Sequence, residues 1–186
     1  MSNLVLDTIA ARRSHRAYET TPVTKEHMDV LLKAMLEAPS AINKQPWHAT
    51  VVTNQQLLDD MNEVIRAEAM KRDAGSRSAR FADAAFHVFY HAPAVIFLSG
   101  DPEWRYTALD CGIAVQNIAL AAESLGLGSV ILGMPRDAFA GERAAEFEEK
   151  LGFLPGEKFM IAIAVGHPAD DKPAHPIHEG HITYVD

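Results

Sequence analysis

The segment Tyr106–Leu125 (YTALDCGIAVQNIALAAESL) constrains the fold more than any other part of this chain. It has the length of a long helix and is apolar nearly all round, so it belongs in the centre of the molecule. Its polar residues Asp110, Gln116 and Asn117 then need partners, on a loop or across a subunit interface. The longest apolar run, Ile113–Ala122, is broken by Gln116 and Asn117 and falls short of a membrane span. Gly126 and Gly128 close the helix.

The surrounding chain supplies short strands and amphipathic helices. Ala94–Ser99 (AVIFLS) is a continuous apolar run, the pattern of a strand buried on both faces. His48–Thr53, Ser129–Leu132 and Phe159–Val165 are predicted as further strands. Asn3 or Ser2 caps a first short helix through Ala10. Thr24 caps a second, with Met28, Leu31, Leu32, Met35 and Leu36 on one stripe, and Pro39 stops it. Asn54 caps a third, with Leu57, Leu58, Met61, Val64 and Ile65 on one face; it fades into a polar loop at 71–76. Phe81–His91 is predicted as a helix, and Asp137 caps an exposed one reaching Leu151. After Gly166 the chain is an irregular tail in which Ile182–Val185 has the character of a strand for a partner's sheet. The expected fold is a single α+β domain over residues 1–186, with a central mixed sheet of four or five strands flanked by helices.

The formal charge is 17 minus 25, or −8, which disfavours attraction to nucleic acid or to an anionic membrane surface. Basic residues that cluster against this balance, at Arg12–Arg16 and Lys71–Arg80, therefore stand out. A single cysteine, Cys111, excludes an intrachain disulfide and fits a reducing compartment. The start of the chain has no secretory pattern, and a cytoplasmic protein is expected.

Two short clusters flank the second helix. Arg12, Arg13, Ser14 and Arg16 form either a fork for a phosphate, which arginine grips through paired donors, or a solvated basic end to the first helix. The loop Pro39–Trp47 offers Ser40, Asn43 and Gln45 between two prolines. That suits the polar edge of a planar heterocycle, or an ordinary helix-to-strand connection.

Together these clusters resemble the FMN-dependent nitroreductase family. Arg12-Arg13-Ser14-His15-Arg16-Ala17-Tyr18 is similar to its signature R-R-S-x-R-x-[FY]. Ala38-Pro39-Ser40-Ala41-Ile42-Asn43-Lys44-Gln45-Pro46-Trp47 is similar to A-P-S-x-x-N-x-Q-P-W. Ala92–Ser99, Asp110–Asn117 running on to Gly128, and Val165–Pro168 also match in order, so the resemblance spans the whole chain.

The resemblance implies an intertwined homodimer with FMN at the subunit interface and NADH or NADPH as co-substrate. It implies phosphate and pyrimidine contacts from Arg12, Arg13, Ser14 and Arg16. Pro39, Ser40, Ala41, Asn43 and Gln45 of the other subunit would complete the site, with backbone contacts from Val130, Ile131, Leu132 and Gly133. Relatives often hold the phosphate with a basic tail residue just before a proline, and the matching dipeptide is His175-Pro176. The implied activity is ping-pong reduction of nitroaromatics, quinones or related acceptors, with no side chain cast as general acid. Alternatives are a specialised relative (dehalogenating, enoate-reducing or flavin-fragmenting) or a flavin-binding protein without turnover.

Other candidates are weaker. His175, His178 and His181 are spaced like metal ligands, but Pro173 and Pro176 rule out a regular helix and no metal motif accompanies them; no metal is expected. Cys111 reads as a small core residue.

Overall fold

The structure, a computed structural model, describes residues 3–72 and 79–185. Most of the polar loop expected at 71–76, and much of the basic run Lys71–Arg80, lie outside the described residues. The elements are α1 (Leu4–Ala11), α2 (Lys25–Leu36), β1 (Trp47–Val52), α3 (Gln55–Arg72), α4 (Ala79–Ala82), β2 (Ala94–Gly100), α5 (Thr107–Ser124), β3 (Gly128–Leu132), α6 (Ala144–Lys150) and β4 (Lys158–Gly166). Short 3-10 turns cover Ala41–Asn43 and Met134–Phe139.

The four strands form one sheet in the order β1-β2-β4-β3. All three pairings are antiparallel. The sheet is therefore antiparallel rather than mixed as expected, and among the described residues the one parallel pairing is an isolated bridge between Ser14 and Ser129. β1 and β4 run in one sense and β2 and β3 in the other, so the link from β2 to β3, which contains α5, is a crossover past β4. Ile182–Val185 forms no strand and lies outside this sheet.

Alternation along the strands makes two cores. Val95, Phe97, Ala162 and Ala164 point to one face, where α3, Phe89 and Phe147 pack. Ile96, Leu98, Ile163 and Val165 point to the other, where α2 and α5 pack. Every residue of β2 is buried, as its unbroken apolar run requires. Helix α5 lies against that second face through Cys111, Ala114, Val115, Ile118 and Ala122. Its outer strip stays exposed within one chain, with Leu109 61% accessible.

Capping follows the sequence at three helices. Asn3 Oδ1 accepts from Val5 and Leu6 N–H, Thr24 Oγ1 from His27 N–H, and Asn54 Oδ1 from Leu57 N–H. Two predictions are corrected. Phe81–His91 is not a helix: only Ala79–Ala82 is helical. Helix α3 takes over the hydrogen bonds a helix would use, since Arg66 donates to the Phe81 and Asp83 carbonyls and Asn62 Oδ1 accepts from Val88 N–H. Asp137 does not cap a long helix either. It is buried inside the Met134–Phe139 turn, and α6 starts only at Ala144.

Candidate functional site

The arginine cluster begins where α1 stops. Arg12 leaves the helix at φ −50° and ψ 131°, its N–H still bonded to the Thr8 carbonyl. The chain then runs beside β3, with Ser14 bridging Ser129 and His15 N–H donating to the Ser129 carbonyl at 3.0 Å. Gly128 permits this approach: a Cβ there would meet Pro168 at 2.9 Å and the His15 side chain at 3.0 Å.

The tail returns along the same segment. Glu19 N–H donates to the His167 carbonyl and Ala169 N–H to the Ala17 carbonyl, and Tyr18 bridges Pro168. This pairing carries the tail past the arginines. The result is a cavity of about 380 Å³ lined by Arg12, Arg13, Ser14, Arg16, Lys172, Pro173 and His175.

Asp170 fastens the arrangement. Its Oδ2 accepts the Arg16 N–H at 3.0 Å and lies 3.1 Å from Lys172 Nζ, while Oδ1 lies 2.7 Å from His15 Nδ1. Burial pushes its carboxyl upward, but the Arg16 N–H, His15 and Lys172 outweigh that and hold it at about 2. The arginines differ in what occupies them. Arg13 Nη1 turns back onto the carbonyls of Ala10 and Arg12, at 2.6 and 2.9 Å. Among the described residues the Arg16 guanidinium makes only a long 3.4 Å bond to the Ser14 carbonyl.

The second cluster is a strained loop. Ile42, Asn43 and Gln45 all have positive φ, at 52°, 56° and 48°, a conformation that costs non-glycine residues free energy. Ser40 Oγ accepts from Gln45 N–H, and Gln45 Nε2 donates to Asn43 Oδ1, each at 2.9 Å. Asp110 Oδ1 accepts the Ala41 N–H at 3.2 Å.

The structure thus brings Arg12, Arg13, Ser14, Arg16 and His175 to one cavity. It does not bring Pro39, Ser40, Ala41, Asn43 or Gln45 there. At the end of β3, Val130 and Leu132 face the core and Ile131 is 38% exposed. Gly133 opens the following turn with nothing within 4 Å of where its Cβ would stand. Sequence reasoning missed Lys172 and Asp170. The signal for Lys172 was present: Lys172-Pro173 is a basic residue before a proline, three residues ahead of His175-Pro176.

Asp59, His87 and His91 carry ligand atoms within 4.8 Å of one another. Their hydrogen bonds argue against metal. Phe89 N–H donates to His87 Nδ1, which places the ring proton on Nε2, and Nε2 then donates to Asp59 at 3.2 Å. Cys111 is fully buried, and burial pushes its thiol up to about 12, so it is no ready nucleophile.

The sequence profile of the Nitroreductase family matches residues 9–167. A protein of Archaeoglobus fulgidus, named as a candidate NADH dehydrogenase/NAD(P)H nitroreductase, is 34% identical over 168 residues, covering 90% of this chain and 87% of its own. A crystal structure of a nitroreductase with bound FMN from Desulfitobacterium hafniense superposes with a TM-score of 0.94 at 36% identity, covering 100% of both chains. The iodotyrosine deiodinase of Thermotoga neapolitana is 26% identical over 191 residues, covering 97% of each chain.

Proposed function

The chain belongs to the nitroreductase family, and from that premise we propose an FMN-dependent oxidoreductase that uses NADH or NADPH to reduce nitroaromatics, quinones or related electron-poor acceptors. The observation that carries the proposal is the cavity in which Arg12, Arg16, Lys172 and Ser14 converge within a chain of net charge −8. Such a donor set fits the phosphate of a flavin mononucleotide: two fork-shaped cations, a point cation and a hydroxyl. The FMN-bound relative, matched over its whole length, supports the same reading.

Arg12, Arg16, Ser14 and Lys172 would hold the phosphate, with His175 and Arg13 at the rim. The main chain at Val130, Ile131, Leu132 and Gly133 would border the ring. Pro39, Ser40, Ala41, Asn43 and Gln45 would serve the site of a second copy, because they lie away from this chain's cavity. That division supports a homodimer as part of the proposal. It also gives a use to the exposed apolar residues Leu4, Leu6, Leu36 and Leu109, at 82%, 62%, 57% and 61% accessible.

The bound flavin would supply a two-electron carrier that a nicotinamide nucleotide fills and an acceptor empties, one site serving both in turn. The protein's own part is positioning and electrostatics: Arg16 fixes charge at the polar end, and the loop fixes orientation. Among the described residues no helix is long and apolar enough to cross a membrane.

The test is the visible spectrum of the purified protein under anaerobic conditions. Bleaching by NADH or NADPH, then recovery on adding a nitro compound or quinone, is the expected result. A colourless protein that cannot be reconstituted with FMN ends the proposal. The deiodinase similarity favours one second reading, reductive dehalogenation, and halogenated phenols in the acceptor panel decide between the two.

A further inference from the structure

The structure assigns Asp110 as the positioning residue of the Pro39–Pro46 loop: through its bond to the Ala41 N–H it holds in place the segment proposed above to contact flavin, and the inference rests on that reading.

Asp110 sits in the first turn of α5 and is 2% exposed. Its Oδ1 accepts the Ala41 N–H at 3.2 Å. Its Oδ2 is buried with no hydrogen-bond partner among the described residues. A carboxyl half satisfied in an apolar helix is unfavourable for stability alone, and an apolar residue would pack there more cheaply. The loop explains its presence. Ile42, Asn43 and Gln45 are all left-handed, and such strain persists only where surrounding contacts over-determine it.

The bonds Ser40–Gln45 and Asn43–Gln45 tie the loop to itself. Among the described residues, Asp110 is the side chain of the core that bonds its backbone. Two turns further along the same face of α5, Asn117 Nδ2 donates to the Ala34 carbonyl at 3.0 Å. The one helix therefore fixes both the end of α2 and the loop that α2 feeds. Without Asp110 the loop keeps its internal bonds but loses its place against the core.

Two variants separate positioning from bulk packing. Asp110→Asn keeps an acceptor oxygen for Ala41; Asp110→Ala does not. The readouts are amide hydrogen exchange at Ala41 and FMN affinity by fluorescence titration. Asp110→Ala is expected to speed Ala41 exchange and weaken FMN binding at least tenfold. Asp110→Asn is expected to stay within threefold in every readout. Unchanged Ala41 exchange in Asp110→Ala overturns the assignment, even if the melting temperature falls. So does Asp110→Asn losing FMN as fully as Asp110→Ala. If Asp110→Ala does not fold, Asp110→Ser, too short to reach Ala41, carries the same expectation. If the parent protein binds no flavin, the cofactor reading fails, and Ala41 exchange alone decides the role of Asp110.

Discussion

Asp170 Oδ1 lies 2.7 Å from His15 Nδ1, and this contact joins the start of the tail to the middle of the arginine cluster. The same carboxyl takes the Arg16 N–H and sits beside Lys172. A single acidic residue thus ties together His15, Arg16 and Lys172 beside the cavity proposed for phosphate, without itself lining it.

Asp170→Asn should lower stability at neutral pH and weaken FMN about five- to tenfold, about 1–1.4 kcal/mol. The folded carboxyl is held at about 2, below the roughly 3.9 of an unfolded aspartate. A depressed value contributes stability that is fully present above the unfolded value and is lost as pH falls through the folded one. The gap in melting temperature between the parent protein and Asp170→Asn should therefore be constant from pH 7 to 5 and shrink below pH 4. A gap independent of pH down to 3 would remove Asp170 from this role.

The three arginines should not behave alike. Arg13 spends its guanidinium on carbonyls at the end of α1. Arg13→Ala should cost about 1 kcal/mol of stability, as losing a helix C-terminal cation and hydrogen bonds does, with little change in flavin affinity. Arg16→Ala should leave stability nearly unchanged, weaken FMN at least tenfold and slow its reduction. Paired thermal melts and FMN titrations check both, and unchanged flavin content and turnover in Arg16→Ala excludes it from the site.

In the tail, Lys172 and His175 both reach the cavity. Lys172 Nζ is already oriented by Asp170 at 3.1 Å, so less side-chain freedom is lost when it meets a phosphate. Lys172→Ala should weaken FMN by about tenfold and His175→Ala by less than threefold, or about 0.7 kcal/mol. Isothermal titration at pH 7 ranks the two, and the reverse order would restore His175 as the tail's phosphate residue.

What the sequence revealed depended on whether one segment's fate was decided locally. Strand β2 is buried along its whole length and helix α5 along one face, and their apolar composition leaves little choice. The caps at Asn3, Thr24 and Asn54 act within three residues and were equally legible. Residues 83–91 were not, because side chains of α3, far along the chain, take the hydrogen bonds that decide their shape. The arginine fork was visible as a motif. Its closure by Asp170 and Lys172 was not, since it depends on the tail doubling back along Ala17–Glu19. The loop residues were recognisable in sequence, yet their left-handed backbone and its anchor on Asp110 emerge only in three dimensions.

The last prediction concerns the second copy. Helix α1 has no buried residue, although Leu4, Val5, Leu6 and Ile9 fill half of it. Replacing Leu6 and Ile9 together by lysine removes nothing from the monomer's core, so the fold should survive, with unfolding free energy changed by less than about 1 kcal/mol. If α1 belongs to the interface, the double variant should sediment as a monomer. If the loop of one chain completes the site of the other, that monomer should also lose FMN, because a single chain would keep the phosphate grip and the β3 border of the ring but not the loop that completes the site. Analytical ultracentrifugation with absorbance detection reads mass and bound flavin in the same run. A monomer that keeps its flavin would show that a second chain's loop is not required and overturn the two-subunit arrangement.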